Sequence, residues 1–186
     1  MNNSFIRHDT GRVAFGGALA AMCVICMFAI NLFPVANYAL PAMAGIVIMV
    51  AVVELGRRWA LMIYAAASLL SLILVADMEA KLIFILFFGY YAVLKSFLES
   101  LHRPNFCVAA KFAVFNLTII AAYFLAVQVF QLPMDEFELF GLNLPVVFLI
   151  LANLVFFVFD LAMTRLATTY ILYYHDRVFK AFHFTK

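Results

Sequence analysis

VAFGGALAAMCVICMFAINLF, residues 13–33, contains no charged side chain. At about 1.5 Å per helical residue it is long enough to cross the roughly 30 Å hydrocarbon core of a bilayer. It exceeds the roughly 7–15-residue apolar region of a signal peptide, so Val13–Phe33 is expected to be a retained first helix. Arg7 and Arg12 precede it and Pro34, which cannot continue a helix, follows it.

The rest of the chain repeats this pattern. Hydrophobic residues make up 68% and charged residues only 12%, well removed from soluble averages, so lipid is the expected solvent. Apolar runs at 13–33, 38–55, 59–76, 81–98, 106–130 and 145–164 predict an all-α fold, a bundle of six transmembrane helices forming one membrane domain over residues 1–186. A basic, aromatic tail over 165–186 is expected to extend as a helix along the inner surface. With these spans, every Lys and Arg except Lys81 falls on one side: Arg7, Arg12, Arg57, Arg58, Lys95, Arg103, Lys111, Arg165, Arg177, Lys180 and Lys186. Asp77, Glu79, Asp135, Glu136 and Glu138 gather on the other. The positive-inside rule therefore predicts cytoplasmic termini and a multi-pass protein of the cell membrane. The formal charge of +2 arises at juxtamembrane positions and gives no support for nucleic-acid binding.

Catalytic signals are weak. Cys23 and Cys26 form a C-x-x-C spacing, but inside an apolar run, where a reactive thiolate is disfavoured. His8, His102, His175 and His183 are scattered without the i, i+4 spacing of a helical metal site, so neither a metal nor a cofactor is expected. No nucleophile elbow, phosphate loop or zinc-protease motif is present, and the chain is not expected to be an enzyme.

Charged groups within spans are costly and direct attention to themselves. Counted from the inner ends, Lys95, Lys111 and Asp160 lie at similar depth, about 6–9 Å inside the boundary, and are expected to form a buried ionic cluster. Its role is either structural, with the lysines snorkelling and Asp160 pairing with the nearest base, including Arg165, or a part in coupling or proton movement. Glu54 stands at i−3 and i−4 from Arg57 and Arg58, a local ion-pair spacing. Asn116 and Tyr123, seven residues apart, share a helix face; with Asn153 and Tyr90 they either line a cavity open to the outside or bond helix to helix. Asn31, Lys81, Glu79 and Gln128 would lie at the mouth of such a cavity. On the first helix Ala14, Gly17, Ala18 and Ala21 form a small-residue stripe, serving either the protein's own bundle or a separate membrane subunit.

The size, the six spans, the Ala14-xxx-Ala18 pattern and the segments ALPAMAGIVIMVAVVELG (39–56) and FFGYYAVLKSFLE (87–99) resemble the substrate-binding S components of energy-coupling factor (ECF) vitamin transporters of bacterial inner membranes. The resemblance implies a subunit that binds a vitamin or small metabolite near the outer side. It also implies docking through Ala14 and Ala18 to a transmembrane coupling subunit that is driven by separate ATPases. The connections around Phe33–Tyr38 and Gln131–Leu144 would act as lids. Met1-Asn2-Asn3 departs from the Met-His terminus of nickel and cobalt S components. The alternative is a structural or assembly membrane protein, resembling rod-shape-determining bundle proteins, that acts through helix contacts without a ligand.

Overall fold

The computed structural model describes residues 3–33, 36–101, 104–130, 138–139 and 142–174, with the side chains of 3–10, 104, 122–130, 138–139 and 142–148 outside that description. The described residues form an all-helical protein apart from one two-residue ladder: α1 (Asn3–Phe28, prolonged by a tighter turn, Ala29–Asn31), α2 (Ala39–Leu55), α3 (Arg57–Leu74), α4 (Met78–Glu99), α5 (Pro104–Phe130) and α6 (Leu144–Tyr173). Among the described residues four segments are long and apolar enough to cross a membrane: Gly11–Asn31, Arg57–Leu74, Met78–Glu99 and Leu149–Tyr173. Ala39–Leu55 and Asn105–Ala121 are shorter apolar stretches.

The helix boundaries depart from the sequence expectation where local chemistry sets them. Gly56 adopts φ 87°, a left-handed conformation that ordinary side chains resist, so α2 can end and α3 begin with a single residue between them. Glu54 and Arg57–Arg58 therefore belong to different helices rather than to successive turns of one. The Asp77 carboxylate accepts the Ala80 amide at 2.8 Å, which starts α4 before Lys81 rather than at it. At the other end, α6 runs unbroken past Thr164 to Tyr173, so the first part of the expected tail continues the sixth helix.

The chain divides into two compact units, residues 1–97 with 164–186, and residues 98–163, where the sequence suggests one domain. In the first unit α1, α2 and α3 pack together. Leu19, Cys23, Met27 and Ile30 of α1, Ala44, Ile48 and Ala51 of α2, and Ala60, Ile63 and Ala67 of α3 are buried. Small side chains on α2 permit close approach, which matters because association in lipid relies on van der Waals packing rather than on the hydrophobic effect. Gly45 is the limiting case, since a Cβ there would lie 2.7 Å from the Phe88 carbonyl oxygen.

That carbonyl belongs to a widened π turn, Phe84–Phe88, within α4. A π turn disturbs the regular backbone ladder and gains from outside donors. Here the Tyr64 hydroxyl of α3 donates to the Ile85 carbonyl at 2.7 Å, and a Cβ at Gly89 would collide with the Tyr64 ring at 2.5 Å. The absence of side chains at Gly45 and Gly89 thus admits the wide turn between its neighbours.

The second unit is held by α5 and the first part of α6. Phe156 stacks on Phe115 with centroids 4.3 Å apart and meets Phe112 edge-on at 5.1 Å. The Cys107 thiol donates to the Leu98 carbonyl at 2.8 Å. A short antiparallel ladder pairs Glu138 with Asn143 and Leu139 with Leu142.

Candidate functional site

Of the charged residues placed at one depth by their sequence positions, Lys95 belongs to the first unit and Lys111 and Asp160 to the second. In the second unit, Lys111 is buried between two carboxylates: its ammonium lies 2.7 Å from Glu99 Oε1 and 3.3 Å from Asp160 Oδ2. Glu99 is half exposed and Asp160 is largely covered, at 47% and 24% side-chain exposure, so the Asp160 arm is the less screened one. In the first unit, Lys95 is buried and donates to Thr164 Oγ1 at 2.8 Å. Glu54 Oε1 accepts from the Tyr170 hydroxyl at 2.9 Å, while Arg57 lies 5.8 Å above the Phe97 ring. The α6 extension thereby joins the first unit through Thr164 and Tyr170.

Asn116 and Asn153 face each other. Each amide nitrogen donates to the other's oxygen, at 2.9 and 3.0 Å, and each also donates at 2.8 Å to its own helix four residues back, to Phe112 and Leu149 respectively. All four amide hydrogens are engaged, and only spare acceptor capacity on the two oxygens remains. This is a closed helix-to-helix clamp. Tyr123 and Gln128 lie outside the described side chains, so the pair is the part of the expected second-unit lining that the structure places.

The remaining expected ligand residues, Asn31, Glu79, Lys81 and Tyr90, lie in the first unit. Three are at the end that carries the α1–α2 and α3–α4 connections. Tyr90 is not with them: nine residues beyond Lys81, it is about 13 Å further along α4 and packs edge-on against Tyr64, centroids 6.3 Å apart. The two connections are stapled together by asparagines. Asn31 donates to the Leu74 carbonyl at 3.0 Å and accepts from the Ala76 amide at 2.9 Å, replacing a missing backbone partner on both sides. Asn37 donates to Asp77 Oδ2 at 3.0 Å. The segment expected to act as a lid near Phe33–Tyr38 is therefore tied down on either flank, and the other expected lid falls mainly outside the described residues.

No family model, curated protein or solved structure matches this chain.

Two polar groups at the Asn31–Asp77 end have no counterpart among the described residues. Lys81 is only 8% exposed, and no side-chain hydrogen bond or ion pair joins it to them. The Asn37 amide oxygen is buried and likewise lacks a donor. Asp77, one helical turn before Lys81, has one oxygen on the Ala80 amide and the other on Asn37. Glu79 is exposed.

The stripe on α1 is also placed. Gly16, Leu19, Cys23, Met27 and Ile30 form the buried edge toward α2 and α3, whereas Ala14, Gly17, Ala18 and Ala21 are exposed. A Cβ on Gly17 would meet nothing within 4 Å. Cys23, buried, donates weakly to the Ala44 carbonyl at 3.6 Å, and all three cysteines are free thiols. Among the described residues no group of three His, Cys, Asp or Glu side chains is arranged to hold a metal.

Sequence reasoning did not find Asn37, Asp77, Glu99, Thr164 or Tyr170 as site partners. Asp77 had a readable signal, a capping residue three positions before Ala80 at the head of an apolar run. Tyr170, 116 residues from Glu54, had none.

Proposed function

We propose that this protein is a six-span membrane subunit, with cytoplasmic termini, that binds a small water-soluble metabolite at its outer side. It docks through α1 to a separate ATP-driven coupling module, in the manner of the ECF S components it resembles. The observation that carries the proposal is the unused face of α1. Its small-residue stripe is not consumed by packing on α2 and α3, and Ala14, Gly17, Ala18 and Ala21 stay exposed. A smooth face of Ala and Gly offers a second helix close backbone approach, the main source of affinity between helices in lipid. In this topology the Asn31–Asp77 end faces outward, and its stapled connections present Lys81, Asn37 and Asn31 to the exterior.

The test separates docking from binding. Ala14→Trp and Ala18→Trp are expected to abolish metabolite uptake by cells while purified protein still binds the metabolite. Loss of binding with association intact would contradict the assignment.

A structural or assembly role has one observation in its favour. Asn116 and Asn153 satisfy each other instead of facing an opening, as expected of a bundle held together without a ligand. Co-purification of a cell-wall assembly partner, without any metabolite-dependent stabilisation, would favour that role.

A further inference from the structure

We propose that Lys81 is the anion-recognising residue of the outer site, and that its ligand carries a carboxylate or phosphate beside a hydrogen-bond donor. The inference rests on the binding function proposed above and narrows its ligand class.

Lys81 lies in the first turn of α4, yet it is buried to about the same degree as Lys111 and Lys95, at 8% exposure against 6% for each of them. Those two have partners: carboxylates for Lys111, Thr164 for Lys95. Lys81 has none among the described residues, although two carboxylates are close in sequence. Asp77 is the natural i−4 partner, but its oxygens already cap α4 and hold Asn37. Glu79 projects from a different face of the helix and is exposed. The Lys81 side chain is covered along its length while its ammonium keeps access to the surface and has no counter-ion among the described residues, and in a membrane protein such a group is a functional candidate by default.

A second vacancy accompanies it. Asn37 Nδ2 is committed to Asp77, which fixes the amide orientation and leaves Oδ1, an acceptor, buried and unpaired. Asn37 bonds to the residue one helical turn before Lys81, so cation and acceptor belong to the same end of the unit. Together they ask for a negative oxygen and a neighbouring N–H or O–H donor. A hydroxy acid, an acylated amino acid or a phosphate ester has this pattern; a neutral amide or a cation does not. A phospholipid headgroup offers the same oxyanion, so the two sources must be separated.

The experiment uses the full-length protein in a maltoside detergent, which carries no phosphate. Thermal unfolding and equilibrium binding are measured for wild type, Lys81→Met and Lys81→Arg. The probes are a panel of water-soluble acids, each paired with its amide or ester, such as pantothenate with panthenol and biotin with biotinamide, and separately phosphatidylglycerol. Without a probe, Lys81→Met is expected to melt within about 2 °C of wild type, because an ammonium open to the surface contributes little to stability either way. A melting temperature lower by more than that would overturn the proposal, since Lys81 would then have a native partner. With probes, one acid is expected to bind at least tenfold more tightly than its neutral pair, with that preference lost in Lys81→Met and partly kept in Lys81→Arg. Equal binding of acid and amide would overturn anion recognition while leaving metabolite binding intact. Stabilisation by phosphatidylglycerol alone, dependent on Lys81, would support the oxyanion site and count against a soluble metabolite. If neither acid nor lipid distinguishes the variants from wild type, the anion site is wrong.

Discussion

Lys81 and Lys111 are two similarly covered lysines in opposite electrostatic situations. Lys111 sits between Glu99 and Asp160; Lys81 has no anion among the described residues, although Asp77 stands one turn away. The difference teaches how to separate a structural charge from a recognition charge in an apolar bundle. Where a fold supplies the counter-ion, the charge joins helices together. Where the fold diverts the nearest carboxylate to capping and to an asparagine staple, the cation remains for something outside the chain.

The largest expected effect breaks the Lys111 side. Lys111→Met leaves two carboxylates facing each other without their cation and should cost about 3 kcal/mol, read as a loss of several degrees in melting temperature in detergent. Lys111→Met combined with Asp160→Leu should recover most of that loss, because an apolar pair replaces the buried ion pair. A double variant no better than the single one would show that Asp160 is not the important partner.

Next comes the amide clamp. Asn116→Leu removes two interhelical bonds and should cost about 1 kcal/mol, within the range found for hydrogen bonds between membrane helices. The cycle with Asn153→Leu should show positive coupling, since the second substitution has no bond left to break. The smallest effect belongs to Glu99→Gln: that carboxylate is half exposed, and its loss should cost under about 0.5 kcal/mol and diminish further with salt. A Glu99→Gln effect as large as that of Asp160→Asn would place the main pairing of Lys111 at the exposed arm instead.

Much of the helical layout was legible because hydropathy and length are properties of the chain itself. The run at 13–33 reads as a span-length helix without any knowledge of its neighbours, and Gly11–Asn31 is such a helix in the structure. Depth was legible for the same reason: a fixed rise per residue brings Lys111 and Asp160 to one level, and they meet at 3.3 Å. Azimuth was not legible. Counting along an axis does not reveal that Lys95 turns to Thr164, or that Glu99 closes on Lys111 from the end of α4. Nor was the break at Gly56, which puts Glu54 and Arg57 on different helices, visible from the spacing of the charges. Asn116 and Asn153 were recognisable as polar groups in apolar runs, but their choice of each other depends on the approach of two helices 37 residues apart in sequence.

The widened turn at Phe84–Phe88 changes how α4 presents its two halves. One surplus residue in a helix swings everything downstream by about 100° relative to an uninterrupted spiral. The faces that carry Lys81 and Lys95 are therefore offset from what a helical wheel drawn through both would assign. Gly45, Gly89 and the Tyr64 hydroxyl accommodate that surplus, so a one-residue deletion inside 84–88 would leave a smoother rod with Tyr91 and Lys95 pointing in the wrong directions. In this helix, the irregularity is what aims the side chains.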